Sequence, residues 1–197
     1  MHAVVLTHNL ELYALVAGAL RKEGWKVAWR EGRGLVLADL DFLEHGQVWL
    51  WRTPAGFRAY DPGRQAFLTR RDDPRTLSDG LRGRLGLALS PGEVEVLWAL
   101  GRGVEAEAKA LARALGLFPY QARFYLKGLR NKFGLPLGDL ARLAWHQVQV
   151  TGFQGHPQAL ARAQAKPLLD VPRQEQGEGY RPQEAAAVGQ ALGVQAL

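Results

Sequence analysis

The chain of 197 residues contains no cysteine, which excludes disulfides, thiolate metal sites and cysteine nucleophiles together. Histidine is scarce as well, with five residues at positions 2, 8, 45, 146 and 156. His8 with Glu11 and His45 with Asp41 have helix-face spacing, but a zinc site needs three or four ligands, so no metal is expected. No apolar run is long enough to cross a bilayer: residues 10–20 are interrupted by Glu11 and Gly18 and fall short of the roughly 20 residues required. From Met1 and His2 the sequence passes directly into Ala3-Val4-Val5-Leu6, without the basic segment and cleavage site of an export leader. The expectation is a cytoplasmic protein without membrane association. A phosphate-binding glycine loop, a nucleophile elbow and paired catalytic carboxylates are all missing from the sequence, so neither enzymatic activity nor a cofactor is expected.

Acidic residues are missing where it matters most. The formal net charge is +6, yet residues 1–62 hold seven basic and seven acidic side chains, and residues 151–197 hold four of each. The whole excess therefore lies in residues 63–150. Between Glu107 and Asp139 there is no Asp or Glu, while Lys109, Arg113, Arg123, Lys127, Arg130 and Lys132 all fall there. Such a stretch makes a local field suited to polyanions; the competing reading is a solvated basic face.

What is present divides into an α/β front and a helical block. Residues 3–7 read as a buried strand, and Asn9 as the cap of a helix over 10–22 with Leu12, Leu15, Val16 and Ala19 inward. Residues 25–29 and 35–38 read as short strands joined by the turn at 31–34, and the strand-helix-strand order implies a parallel sheet. Residues 47–52 and 57–60 read as an antiparallel hairpin, with Trp49 and Trp51 on one side and Val48 and Leu50 on the other. Trp25, Trp29, Trp49 and Trp51 are expected to be packing rather than a ligand cage. Residues 63–87 are rich in Asp, Gly, Pro and Arg and read as a linker able to touch phosphates, with a short helix at 77–81. Residues 151–197 turn to Gln, Ala, Gly and Pro and read as a flexible tail with one loose helix at 158–165.

In the helical block, Ser90-Pro91-Gly92-Glu93 supplies a capping hydroxyl, a proline in the first turn and a carboxylate at the third position. The helix that follows should bury Val94, Leu97 and Trp98. A second helix is expected over 104–115, closed by Gly116, and a third over 119–133. At about 100° per residue, Ala122, Leu126, Leu129 and Phe133 form one narrow stripe, and Tyr120, Arg123, Phe124, Lys127, Gly128 and Asn131 lie opposite. A basic, aromatic face presented after a tight turn suits the major groove, where Lys and Arg meet phosphates or guanine edges and Phe meets a thymine methyl.

Over residues 89–144 the block resembles the LuxR/NarL-type helix-turn-helix of bacterial response regulators. The resemblance is carried by LSPGEVEVL at 89–97, by Leu111-Ala112-Arg113-Ala114-Leu115-Gly116 and by Asn131-Lys132-Phe133-Gly134-Leu135, with ungapped spacing from Gly116 to Gly134. It implies an all-α four-helix DNA-binding domain over 88–150. Arg123, Phe124 and Lys127 would then face bases and phosphates. Tyr120, Gln121 and Lys132 would make flanking backbone contacts, Arg130 and Asn131 would complete the binding face, and the last helix, 137–147, would dimerise. There are departures. The segment between Gly103 and Gly116 is about two residues longer than the pattern, Phe124 and Tyr125 are bulky, and Gly128 should weaken its helix by ~1 kcal/mol relative to Ala.

Residues 1–62 resemble a shortened, degenerate response-regulator receiver. Asp39 stands where the phosphoacceptor would be, but Thr7, His8 and Asn9 occupy the places of the acids that gather Mg²⁺. A surface or capping aspartate is the competing reading. The expectation is therefore a phosphorylation-independent transcription regulator that binds double-stranded DNA through 119–133 as a homodimer, its front domain serving docking or dimerisation. The alternative is a protein-interaction factor that docks on the transcription machinery, such as RNA polymerase, through a helix-turn-helix relic.

Overall fold

The computed structural model describes residues 1–71 and 73–151; the expected tail and its loose helix lie outside them. They form a mixed α/β structure with one seven-stranded sheet and six α-helices. The chain divides into two compact units, the first Met1–Leu89 and the second beginning at Ser90.

In the first unit, β1 (His2–Leu6) leads through the Asn9 cap into α1 (Leu10–Arg21), the Asn9 side chain accepting the Leu12 N–H at 3.0 Å. Next come β2 (Lys26–Trp29) and β3 (Leu35–Ala38), and then β4 (Val48–Thr53) and β5 (Gly56–Asp61). Strands β2, β1, β3 and β4 lie side by side and run parallel, whereas β4 and β5 form the expected antiparallel hairpin, Thr53 opposite Gly56. A parallel crossover ordinarily takes a dozen or more residues, yet residues 30–34 alone carry the chain across β1 from β2 to β3. Two glycines make this possible. A Cβ on Gly32 would press on Ala28 and Val4, and Gly34, at φ +117°, lies so close to the His2 carbonyl that a Cβ would collide with it. The loop thus lies flat on the Val4 face of β1, where a longer chain would place a helix.

The opposite face is covered by α1. Leu12, Val16 and Leu20 pack with Ala3, Val5, Leu37, Val48, Leu50, Phe57 and Ala59, the alternation that a period of two demands. Trp49 and Trp51 point the other way, as expected. The Trp49 indole donates to the Leu43 carbonyl at 2.9 Å and lies 6.1 Å from the Tyr60 ring, while Trp51 meets Phe67 edge-on at 6.4 Å. Burial, reinforced by the Asp61 carboxylate, pushes the Tyr60 hydroxyl well above its usual pKa, so it stays protonated.

Residues 63–87 are not the linker that their composition suggests. They add β6 (Ala66–Phe67), paired with β5, a short α2 (Leu77–Leu81) and β7 (Leu87–Ala88), paired with β6. Leu68 and Leu77 enter the core beside α1, the Trp25 indole donates to Ser78 Oγ at 2.9 Å, and Gly80 lies against the Leu68 backbone with no space for a Cβ. The first folded unit accordingly ends at Leu89 rather than near residue 62.

The described residues of the second unit form four helices: α3 (Pro91–Gly101), α4 (Ala108–Leu115), α5 (Pro119–Phe133) and α6 (Leu137–Thr151). The capping box at α3 is complete. Ser90 Oγ accepts the Glu93 N–H at 3.3 Å and Glu93 Oε1 accepts the Ser90 N–H at 2.9 Å. Trp98 is only half-buried, its ring covered by the Arg102 guanidinium at 5.1 Å. α4 starts later than residue 104, because the Val104 N–H returns to the Ala99 carbonyl at 3.1 Å and extends the closing turn of α3. α6 runs past residue 147 to Thr151 and packs on α3, where Gly101 has no room for a Cβ beside the Ala144 carbonyl.

Candidate nucleic-acid interface

α4 buries Leu111, Ala112 and Leu115 and ends at Gly116, whose left-handed φ of 66° lets the Leu117 N–H return to the Ala112 carbonyl at 2.9 Å. Phe118, in extended conformation, then caps α5, and Pro119 opens it with a pre-set φ. α5 buries Ala122, Leu126, Leu129 and Phe133, the four positions of the expected stripe, and Gly134 at φ 63° closes it. With the stripe fixed, the remaining side chains sort into two flanks and a crest.

One flank is turned towards α3 and belongs to the fold. Lys132 Nζ donates to Glu93 Oε1 at 2.7 Å, with the lysine side chain 30% and the glutamate 8% exposed. Glu93 thus closes the α3 cap and holds α5 with one oxygen. Gly128 lies on the same flank: a Cβ there would collide with the Glu93 carboxylate, just as a Cβ on Gly92 would collide with the Tyr125 ring. Gln121 is also engaged, its Oε1 accepting the Phe118 N–H at 2.9 Å. Two corrections to the expected binding face follow. Gly128 belongs to the α3–α5 contact and not to the outer surface, and the Lys132 ammonium is already paired with Glu93 while the Gln121 carbonyl oxygen serves the α5 cap.

The crest and the other flank are exposed. Tyr120, Arg123, Phe124, Lys127, Arg130 and Asn131 all lie outward, Phe124 at 71% and Tyr120 at 62%. Among the described residues Arg123, Lys127 and Arg130 form no ion pair. Arg123, Leu126, Lys127, Arg130, Asn131 and Leu135 line an open cleft of about 500 Å³. On α4, Lys109 and Arg113 are exposed too. Of the six cations in the acid-free stretch, only Lys132 is paired with an acid among the described residues. The Tyr120 ring stacks on Phe118 (5.8 Å, 11°) and Phe124 meets Tyr125 edge-on (5.5 Å, 71°). Tyr125 rests on Gly92, so Phe124 projects from a braced position. The exposure of these aromatics is legible from the helical wheel; their bracing is not, because it depends on Gly92, a residue of a different helix.

Asp39 is placed differently. It stands at the end of β3, nearly buried; its Oδ2 accepts the Thr7 hydroxyl proton and its Oδ1 accepts the Asp41 N–H at 3.0 Å. Thr7 Oγ1 in turn accepts the Asn9 N–H at 2.9 Å. The carboxylate joins the ends of β1 and β3 and organises the following turn. His8 is exposed and packs beside Phe42, ring centroids 5.0 Å apart. Among the described residues no group of three or more His, Asp or Glu side chains is placed to hold a metal ion.

Among the described residues no helix is long and apolar enough to cross a membrane. No family model matches the chain, and no curated protein and no solved structure is significantly similar to it.

Proposed function

We propose that the chain is a DNA-binding transcription regulator of the LuxR/NarL helix-turn-helix kind, with α4 as the scaffold helix and α5 in the major groove of a duplex. The carrying observation is the row of exposed cations Arg123, Lys127 and Arg130, without an ion pair among the described residues, on a helix whose reverse side is held by four buried apolar residues. A helix fits the major groove, which is about 12 Å wide, where its long cationic side chains reach phosphates and the shorter side chains of the crest meet base edges. The parallel order β2-β1-β3-β4 is that of a doubly wound fold and supports a receiver-like origin for the first unit. The engagement of Asp39 by Thr7 and the Asp41 backbone supports regulation without phosphorylation. A cytoplasmic homodimer formed through α6, where Trp145 is 52% exposed, completes this reading.

The test is fluorescence anisotropy of labelled duplex against the full chain over a salt series. Each phosphate contact contributes about −0.9 to the slope of log K against log salt. Replacing Arg123 and Lys127 together by Ala is expected to flatten the slope by about 2 with an unchanged melting temperature; an unchanged slope would place the contact elsewhere. A second reading, a factor that docks on a protein of the transcription machinery such as RNA polymerase, is favoured by the exposed aromatics Tyr120 and Phe124, since aromatic anchors dominate many interfaces. Heparin competes under the first reading, whereas partner binding insensitive to salt marks the second.

A further inference from the structure

We infer that Phe124 reads a thymine in the DNA site through its 5-methyl group. This rests on the proposal that α5 enters the major groove. Among the exposed large hydrophobic residues, Phe124 shows the highest exposure, and it stands inside a polar ridge, with Tyr120 one turn before it and Lys127 and Asn131 after it. From Tyr120 to Asn131 the crest spans about 16 Å, close to five base-pair steps at about 3.4 Å each. A residue in the middle of that length meets base edges, while Arg123 and Arg130 lie to the side, where backbone phosphates pass.

The chemistry then narrows the choice of base. A phenyl ring has neither donor nor acceptor, and every polar feature of a base edge pressed against it would lose a water without gaining a hydrogen bond. The major-groove edge of DNA carries one apolar feature, the thymine methyl. Cytosine lacks it. Tyr125 braces the Phe124 ring edge-on and itself rests on Gly92, so the ring reaches the groove with little freedom to lose. Such bracing makes discrimination by a single methyl effective, because a loosely held side chain would shift to fill the gap.

The experiment uses the full chain and duplexes recovered from a random-sequence pool by binding. Each thymine of a recovered site is replaced in turn by deoxyuridine, which removes the methyl and leaves base pairing intact. At one position the wild-type chain is expected to lose about fourfold in affinity, the transfer value of one methyl group. Phe124→Ala is expected to bind more weakly, keep the wild-type salt slope and be indifferent to the methyl at that position. Binding to duplex without a methyl effect, or a methyl effect that persists in Phe124→Ala, overturns the inference and leaves the DNA-binding proposal standing. Preference for single strands with no methyl dependence assigns Phe124 to base stacking and overturns it as well. If no duplex is bound at any salt concentration, the DNA-binding proposal itself falls and the thymine contact falls with it.

Discussion

Lys127 and Lys132 lie on the same helix, little more than a turn apart, and do opposite things. Lys132 is turned towards α3 and its ammonium group is fixed on Glu93 at 2.7 Å. Lys127 is exposed and, among the described residues, makes no ion pair. A count of charges treats them alike; the helix period and the position of α3 separate them. One flank of α5 maintains the tertiary structure, with Gly128, Tyr125, Gln121 and Lys132 committed to it, and the other side keeps its charge in solvent. A cation is available to a polyanion only where the fold has left it without a partner.

The severest way to break this division is to remove the support common to both sides. Phe133 is fully buried at the end of the α5 stripe, and Phe133→Ala is expected to destabilise the second unit by about 4 kcal/mol, from lost burial and the remaining cavity. Urea unfolding checks the value. If α5 binds through its outer side, the fraction still folded should bind duplex with unchanged salt dependence.

Much of this arrangement was legible in the sequence. Asn9, the Ser90–Glu93 pair, Gly116, Gly134 and the apolar stripe of α5 all act locally, over no more than five positions or at a fixed helical period, so their signals survive without knowledge of the fold. The parallel strands β1 and β3 were likewise carried by short apolar runs on either side of a capped helix, and the hairpin β4–β5 by the turn residues 53–56 between two such runs. What was not legible depends on distant partners. β6 and β7 contain two residues each, too few to show a period, and their segment reads as linker although Leu68 and Leu77 complete the core. Val104 has a helical pattern ahead of it but gives its N–H to Ala99, which delays α4. Glu93 and Lys132 are 39 positions apart, and no local rule pairs them.

Gly128 turns that difference into a test of sign. In a solvent-facing helix position, Gly→Ala stabilises by up to about 1 kcal/mol. Here the new Cβ would meet the Glu93 carboxylate, which is already committed to Ser90 and Lys132. Gly128→Ala is therefore expected to destabilise by about 1–2 kcal/mol, the usual range for overpacking a close contact. A rise in thermal midpoint would show that α3 and α5 stand further apart than the Glu93 contact requires.

The finest division comes from neutralising each lysine in turn with a side chain of similar length. Lys132→Met leaves the largely buried Glu93 carboxylate with only the Ser90 N–H opposite the oxygen that Lys132 held, and a loss of about 1 kcal/mol is expected, the lower range for a charged group deprived of one partner. Its effect on the salt slope of duplex binding should be negligible, because that charge is already neutralised within the fold. Lys127→Met should do the reverse. Stability should change by no more than about 0.5 kcal/mol, as for most exposed substitutions, while the slope flattens by about 0.9 if Lys127 meets a phosphate. Measured together, thermal midpoint and salt slope place each lysine on an axis that charge counting cannot supply. Equal slopes for the two variants would mean that Glu93 releases Lys132 when DNA arrives, and the division between the flanks of α5 would hold only for the unbound protein.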